Sequence, residues 1–331
     1  MVLTTDPQGQ GQSHTFGEDP DRGEGFPAQT DGRPFVDGAQ DAVNFFFSTQ
    51  DHPYRPVASC STGTSHAAKQ ARRATAGLDA AFNPYASLLD PSRVGIAGHS
   101  YGASGVSYIG QSDPRLKAIV AWDNLGPPAS DSPGATDPNS SDNSEQGCND
   151  AAARRPAAIA KPALGMSADY FLDEFQPHND TDPLAKSQES LAYSKAGVDT
   201  GEIIIRGGTH YDFTWIPNPG LRATLRGADE IAWYTTAWFD KYVKGDPGAD
   251  KRLLTNRWRH NAQEAAVDPG RDGNMMSQYY QSRLDVRLTS GQRLRCENLR
   301  AGCPGLVAND GVAGSYNFLS IARSPDTGRR R

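Results

Sequence analysis

The sequence predicts an α/β protein, a mostly parallel sheet covered by helices in a three-layer arrangement. Three observations support this class. Short runs of β-branched and small apolar residues alternate with helical segments over residues 1–249, which is typical of βαβ units. One run ends in a serine flanked by glycines. Past residue 250 apolar and polar residues alternate, so residues 250–331 are predicted to form a small β-rich appendage.

The elements of the first region follow one another along the chain. Strands are predicted at MVLTT (1–5), RVGIAG (93–98), LKAIVAW (116–122), KPALGMS (161–167) and GEIIIRG (201–207). Helices are predicted at 37–50, after Ser100, at 183–197 and at 227–246. The last helix carries one apolar stripe, formed by Ile231, Trp233, Tyr234, Ala237, Trp238 and Tyr242. This spacing predicts a helix that packs on the sheet.

Two stretches interrupt the alternation. Residues 51–92 form a long excursion before the strand at 93–98. Residues 126–156 are rich in Ser, Asp, Asn, Gly and Pro, a composition typical of a long loop. The acidic run DPNSSDNSE within it matches no EF-hand ligand pattern, which favours a solvated loop over a calcium site.

Charge and hydropathy exclude some classes of partner. The 331 residues include 33 basic and 39 acidic side chains, a net charge of −6, with no basic stripe interleaved with aromatics. Nucleic acid is therefore not expected as a partner. No apolar run approaches the length of a membrane-spanning helix, and the first residues have no basic and apolar regions of a signal peptide.

The four cysteines favour an exported protein. Cys296 and Cys303 flank ENLRAG, a spacing wider than that of zinc-binding pairs and suited to a disulfide loop. Cys60 and Cys148 remain as a possible second pair. Structural disulfides persist mainly outside the reducing cytosol, so the even count predicts a secreted or extracytoplasmic location.

The segment RVGIAGHSYGASG (93–105) carries the candidate nucleophile. Gly98, Ser100 and Gly102 make the pattern G-x-S-x-G between a predicted strand and a predicted helix. A strand, a sharp turn and a helix around the serine are the features of a nucleophile elbow, which holds the serine in a strained conformation. The similar segment GTSHA, with Ser65, follows no buried strand, so Ser100 is preferred.

A serine nucleophile needs a base, and that base is normally oriented by an acid. Two histidines follow the elbow and precede the appendage. His210 lies on a glycine-rich turn after the strand at 201–207, whereas His178 lies in a polar loop with no strand before it. His210 is therefore the predicted base.

The sequence leaves more than one candidate for the aspartate that orients the base. Asp169 follows the strand at 161–167 and is the predicted acid, with Asp123, after the preceding strand, as runner-up. Asp173, Asp180 and Asp182 lie farther from any strand end. The residues alone leave Asp169 and Asp123 as alternatives, because aspartate is also common as a cap or turn residue.

These residues predict acyl transfer without a metal or an organic cofactor. Ser100 attacks the carbonyl, His210 accepts and returns the proton, and Asp169 fixes the imidazole tautomer. The backbone N–H of Tyr101 is the predicted first donor of the oxyanion hole. His99 is interpreted as a packing residue.

The ordered motifs GHSYGASG, SADYF and GGTHYDF, followed by the final helix, resemble the α/β-hydrolase superfamily over residues 1–246. The closest resemblance is to its dienelactone-hydrolase-like and secreted esterase or lipase branch. This resemblance implies a serine esterase that acts on a carboxylic ester, either a small molecule or a lipid-like substrate.

The same resemblance shows a departure at the N-terminus. MVLTT and DPQGQGQS resemble the strand before the elbow strand and its glycine-rich loop, so three earlier strands and the second oxyanion donor would be absent. Loss of one such donor costs about 2.7–4 kcal/mol of transition-state stabilisation. This comparison leads to the hypothesis of an N-terminally truncated form of an exported hydrolase.

Several alternatives remain at this stage. A peptidase or an acyltransferase would use the same triad, and a catalytically inactive, hydrolase-like binding protein would keep the fold without the reaction. Aromatic residues follow the candidate site residues and either line an acyl pocket or belong to the core: Tyr101, Tyr170, Phe171, Tyr211, Phe213 and Trp215.

Overall fold

A computed structural model describes eight segments of the chain: residues 1–6, 33–56, 67–128, 157–171, 181–214, 225–259, 276–302 and 309–312. The chain divides into two compact units. The first comprises Met1–Val94, Ser104–Leu116 and Gly126–Ala158, and the second comprises Gly95–Ala103, Lys117–Leu125 and Ile159–Arg331.

Six of the described strands form one mixed sheet. They are β1 (Val94–His99), β2 (Leu116–Trp122), β3 (Ala163–Ala168), β4 (Thr200–Ile205), β6 (Arg283–Arg287) and β7 (Arg293–Cys296). Their order is β1-β2-β3-β4-β6-β7, with β2, β3 and β4 parallel and with β6 and β7 added antiparallel. A second, two-stranded parallel sheet pairs β5 (Thr255–Arg259) with β8 (Asn309–Val312).

Two of the described helices precede β1, and others lie between β1 and β2, between β3 and β4, and between β4 and β5. They are α1 (Arg33–Phe47), α2 (Ala67–Thr75), α3 (Tyr101–Ser112), α4 (Gln188–Lys195), α5 (Leu225–Phe239) and α6 (Ala249–Leu253). Short 3₁₀ turns cover Ala86–Leu88, Ala185–Ser187 and His210–Phe213, and a π turn covers Asp240–Lys244. The alternation confirms the predicted α/β class.

The core of the second unit lies around strands β3 and β4, in which every residue is buried. Burial on both faces explains why these two strands consist mainly of apolar residues, because the central strands of a parallel sheet are covered on both sides. Helix α5 contributes five of the six residues of the predicted stripe, Ile231, Trp233, Tyr234, Ala237 and Trp238, which are all buried. The sixth, Tyr242, lies in the π turn after the helix and is partly buried. The prediction of α5 as a packing helix is therefore confirmed.

The first unit is organised around α1. Gln40 Nε2 donates to Asp113 Oδ2 at 3.0 Å, and Arg115 Nη2 donates to Asn44 Oδ1 at 2.8 Å. The Arg115 guanidinium also lies 4.9 Å from the centre of the Phe47 ring. These contacts join α1 to the turn between α3 and β2.

The strand predicted at residues 1–5 is wrong. Residues 1–6 have no strand conformation and are exposed, with 86% of the Val2 surface accessible. An apolar run becomes a strand only when a neighbouring strand satisfies its backbone groups, and the described residues supply no such neighbour here. The predicted 51–92 excursion contains α2 and one 3₁₀ turn, and most of the 126–156 loop lies outside the described residues.

Part of the region predicted to be β-rich forms an antiparallel hairpin of β6 and β7, with Gly291 at φ 86° in its turn. Strand β6 pairs directly with β4, so the hairpin continues the main sheet, and β5 and β8 form the second sheet. The division of the chain at residue 250 stays a prediction.

Cys296 is buried at the end of β7 and is bonded in a disulfide. Cys60, Cys148 and Cys303 lie outside the described residues, so the proposed pairing stays a prediction.

Among the described residues, no helix is long and apolar enough to span a membrane.

We expect Gly105→Ala to destabilise the protein by about 2 kcal/mol, because a Cβ atom there would lie 2.3 Å from the backbone oxygen of Phe35. Gly38→Ala is the matched control, since a Cβ atom at this helical position meets nothing within 4 Å. Alanine there should be neutral or stabilising by up to about 1 kcal/mol. Urea unfolding of both variants measures the difference, and equal effects would contradict the predicted close contact.

Candidate active site

Ser100 occupies the sharp turn between β1 and α3. Its φ is +59°, a left-handed conformation that is uncommon for residues other than glycine. Its N–H donates to the carbonyl oxygen of Trp122 at 2.9 Å, and its own carbonyl accepts from the N–H of Ala103 at 2.8 Å. The strained serine predicted from the strand–turn–helix context is therefore confirmed.

His210 begins the 3₁₀ turn that follows β4. Gly207, at φ +67°, turns the chain after the strand, and the N–H of His210 donates to the carbonyl oxygen of Phe171 at 2.8 Å. Thr209 caps the turn in a reciprocal capping box, in which the buried Asp212 carboxylate accepts from the Thr209 N–H at 2.6 Å. The backbone on both sides of the imidazole is thus held by hydrogen bonds.

Asp123 is the acid that contacts the imidazole. It follows β2 at φ +54°, and its carboxylate is hydrogen-bonded to His210 Nδ1. Both side chains are largely buried, with 11% of Asp123 and 12% of His210 accessible. Burial in a low-dielectric surrounding strengthens such a charge-assisted hydrogen bond.

The predicted partnership of Asp169 with His210 is corrected in favour of Asp123. Asp169 does follow its strand, β3, but its Oδ2 accepts from the N–H of Gly207 at 2.7 Å. Nδ1 of an imidazole has room for one hydrogen bond, and Asp123 occupies it. Asp169 instead holds the backbone of the turn that leads to His210.

The other candidate residues from the sequence analysis are not part of the contact between Asp123 and His210. Asp182 Oδ1 accepts from the N–H of Leu184 at 2.9 Å, as expected of a turn residue. Ser65, Asp173, His178 and Asp180 lie outside the described residues.

The Ser100 hydroxyl and the His210 ring are not joined in this structure. In the described part of the chain, no hydrogen bond links Ser100 Oγ to His210, although the preceding residue, His99, contacts the His210 ring. Catalytic hydrogen bonds are often long or absent without substrate and form in the substrate complex. The structure thus brings together the predicted base and the runner-up acid, next to the residue before the predicted nucleophile.

His99 contacts both the backbone and the ring of His210. Its Nε2 donates to the backbone oxygen of His210 at 3.0 Å, and the centres of the two rings are 4.4 Å apart. The other neighbour is Phe213, whose ring centre lies 5.8 Å from that of His99. Burial, followed by repulsion from His210, lowers the pKa of His99 to about 4. A neutral, packed ring agrees with the interpretation of His99 as a packing residue.

His99, Asp123 and His210 also form a cluster whose ligand-type atoms lie within 4.8 Å of one another. Two nitrogens of this cluster are already in hydrogen bonds: His99 Nε2 with the His210 backbone and His210 Nδ1 with Asp123. The hydrogen bond from His210 Nδ1 to Asp123 orients the imidazole.

The aromatic residues near the site divide between surface and core. Tyr101 and Phe171 are exposed over 36% and 50% of their surfaces, and the Phe171 ring lies 4.9 Å from that of His210. Phe213 is buried beneath the site. Trp215 lies outside the described residues. Tyr101 and Phe171 lie at the surface, whereas Phe213 belongs to the core.

The sequence patterns did not identify two buried or partly buried charged residues, Glu202 and Lys186. Glu202 lies in the middle of β4 and is 1% exposed, and burial raises the pKa of its carboxyl group to about 8. Lys186 donates to the carbonyl oxygen of Ala168, beside Asp169, and burial lowers the pKa of its amine. A single glutamate within the apolar run GEIII was the available signal for Glu202.

Searches with protein-family models and among curated proteins returned no match to this chain.

The low pKa of His99 predicts a loss of stability in acid. Between pH 6.5 and 4 the unfolded chain binds a proton at this residue that the folded protein does not. The free energy of unfolding therefore decreases as the pH is lowered through this range. We expect His99→Gln, which keeps an N–H donor but does not titrate, to reduce this fall by on the order of 2 kcal/mol.

Chemical unfolding of the wild type and His99→Gln at pH 6.5 and pH 4 measures this effect. His52→Gln provides the control, because His52 is an exposed histidine of the other unit. An equal decrease in the free energy of unfolding from pH 6.5 to pH 4 in the wild type and in His99→Gln would contradict the prediction, because it would show that His99 binds its proton as readily in the folded protein as in the unfolded chain.

Proposed function

We propose that this protein is a serine hydrolase of the α/β-hydrolase type that cleaves carboxylic esters through Ser100, His210 and Asp123. The observation that carries the proposal is the His210 imidazole, held at Nδ1 by Asp123 and packed against the residue next to a strained serine. An acid, an imidazole and an elbow serine are the groups that acyl transfer requires.

The proposed reaction follows from the hydrogen bond at Nδ1. With Nδ1–H donating to Asp123, the other nitrogen, Nε2, carries the lone pair that accepts the Ser100 proton. Ser100 Oγ attacks the ester carbonyl, and the tetrahedral intermediate expels the alcohol, which takes its proton from His210. Water then attacks the acyl-enzyme with His210 as the base, releasing the acid and restoring Ser100.

The N-terminus of α3 supports the assignment of an oxyanion donor. Tyr101 is the first residue of this 12-residue helix and directly follows Ser100. The N–H groups at a helix start carry the positive end of the helix dipole, which favours the developing negative charge. We assign the first oxyanion donor to the Tyr101 N–H.

Exposed aromatic surface beside His210 supports an ester with an apolar group, either a small molecule or a lipid-like one. Phe171 contacts the imidazole and remains half exposed. Burying apolar substrate surface against such a ring contributes about 25 cal/mol per Å². A peptidase or an acyltransferase would use the same three residues with another acyl donor or acceptor.

A fluorophosphonate probe tests the proposed nucleophile without a choice of substrate. We expect the intact chain to form a covalent adduct at Ser100, located by peptide mass spectrometry, and we expect Ser100→Ala to abolish it. Loss of the general base in His210→Ala should slow labelling by at least a factor of about 10². A folded protein that is not labelled would favour the inactive, hydrolase-like binding protein.

Two matched aspartate variants test the assignment of the acid. Asp123→Asn removes the charge that orients His210 and should lower kcat for a simple aryl ester by on the order of 10³ to 10⁴, as for triad acids. Asp169→Asn makes the same change at a residue that contacts Gly207 instead, so its loss should be smaller by at least a factor of about 10². The opposite ranking would restore Asp169 as the acid.

A further inference from the structure

Among the described residues, three aromatic rings lie close to the His210 imidazole, and one of them is at the protein surface. The ring centres of His99, Phe171 and Tyr211 lie 4.4, 4.9 and 5.7 Å from that of His210. His99 and Tyr211 are partly buried, whereas 50% of the Phe171 surface is accessible. Of these three neighbours, Phe171 therefore has the most surface left for contact with a molecule bound at His210.

Hydrogen bonds hold the chain segment that carries Phe171. The carbonyl oxygen of Phe171 accepts from the N–H of His210 at 2.8 Å, and the N–H of Tyr170 donates to the carbonyl oxygen of Gly208 at 3.1 Å. The hydroxyl of Tyr170 is also hydrogen-bonded to the side chain of Tyr279. The segment is thus joined at two points to the turn that carries His210. A preorganised surface of this kind loses little conformational entropy on binding, which favours selectivity.

The proton transfers of the proposed reaction determine which part of an ester meets Phe171. The Nε2 atom of His210 gives its proton to the oxygen of the leaving alcohol, so this oxygen comes within about 2.6–3.2 Å of the imidazole. The acyl group becomes bonded to Ser100 Oγ, with its carbonyl oxygen directed to the N–H of Tyr101 at the start of α3. The alcohol part is therefore the part that lies beside the imidazole, next to the ring of Phe171.

A phenyl ring at this place favours a flat aromatic group over a saturated group of the same size. Offset-stacked or edge-to-face contact between two aromatic rings strengthens binding by a factor of about 2 to 10 beyond the effect of the buried area. A saturated ring of equal size gains only the contribution of the buried area. The half-exposed ring of Phe171 can therefore distinguish an aromatic alcohol from an aliphatic one.

We propose that Phe171 is the specificity-determining residue for the alcohol part of the ester, and that this part is aromatic, as in a benzyl ester. The inference rests on the proposed function, because the direction of proton transfer from His210 decides which part of the substrate lies beside Phe171. It adds the substrate class, since Ser100, His210 and Asp123 would act on any carboxylic ester.

Two esters that differ only in their ring test this proposal with the full chain. Benzyl acetate and cyclohexylmethyl acetate have alcohols of similar size, and each kcat/KM is divided by the rate of alkaline hydrolysis of the same ester. We expect the wild type to prefer benzyl acetate by a factor of about 2 to 10. Phe171→Leu keeps an apolar side chain without the ring and should bring this ratio close to 1. Phe171→Tyr keeps the ring and should retain the preference.

A control variant and a control pair of esters show whether the effect belongs to Phe171 and to the alcohol side. Tyr85→Leu removes an exposed ring in the other unit and should keep the wild-type ratio. Methyl phenylacetate and methyl cyclohexylacetate carry the same two rings on the acyl side, so Phe171→Leu should leave their ratio unchanged. An unchanged ratio for the benzyl pair in Phe171→Leu, or an equal or larger change for the acyl pair, would overturn the proposal.

Binding to Ser100→Ala separates this inference from the proposed function, because that variant cannot form the acyl-enzyme. Followed by NMR titration of the His210 ring, benzyl acetate should bind more tightly than cyclohexylmethyl acetate by the same factor. Adding Phe171→Leu should remove the difference. Equal binding of the two esters to Ser100→Ala would overturn the inference even if the fluorophosphonate labels Ser100. A preference without labelling would reject the proposed function and retain Phe171 as a contact for aromatic groups.

Discussion

Backbone hydrogen bonds that extend beyond the ends of β1, β2 and β3 position three residues of the candidate site region, Ser100, Asp123 and Asp169. The first residue after each strand donates to a carbonyl of the next strand: Ser100 to Trp122 at 2.9 Å, Asp123 to Met166 at 2.6 Å and Asp169 to Ile205 at 3.1 Å. The sheet therefore places all three residues at one edge and limits their movement. Side chains supported by strands hold their geometry more precisely than those on long loops.

This common placement explains why the acid was ambiguous. Asp123 and Asp169 occupy equivalent positions on adjacent strands, so spacing from a strand end does not separate them. Their surroundings do: Asp123 meets Nδ1 of His210, whereas Asp169 accepts from Gly207 in the turn that carries His210. One carboxylate orients the imidazole and the other shapes its loop, a division of roles that depends on backbone torsions and is not encoded in a local pattern.

Sequence patterns predicted most of the fold, because buried strands need apolar runs and α5 needs an apolar stripe. The run at 116–122 was predicted with the bounds that the structure has. The strand at 1–5 was wrong, because apolar composition does not reveal whether a pairing partner exists. Glu202 was overlooked for a related reason: its burial depends on β3 and β6, which are distant in sequence. Ser100 and His210 could be predicted because glycine-rich turns mark them locally.

The contact between Gly165 and Glu202 has a consequence for protein engineering. The glutamate side chain fills the space that a Cβ atom at position 165 would need, so the two positions share a single volume. A shorter residue at 202 would not by itself make room at 165, because a Cβ atom there would also lie 2.9 Å from the Cβ atom of Leu125. A design that introduces a larger residue at 165 therefore has to change the packing of Leu125 as well as the length of the side chain at 202.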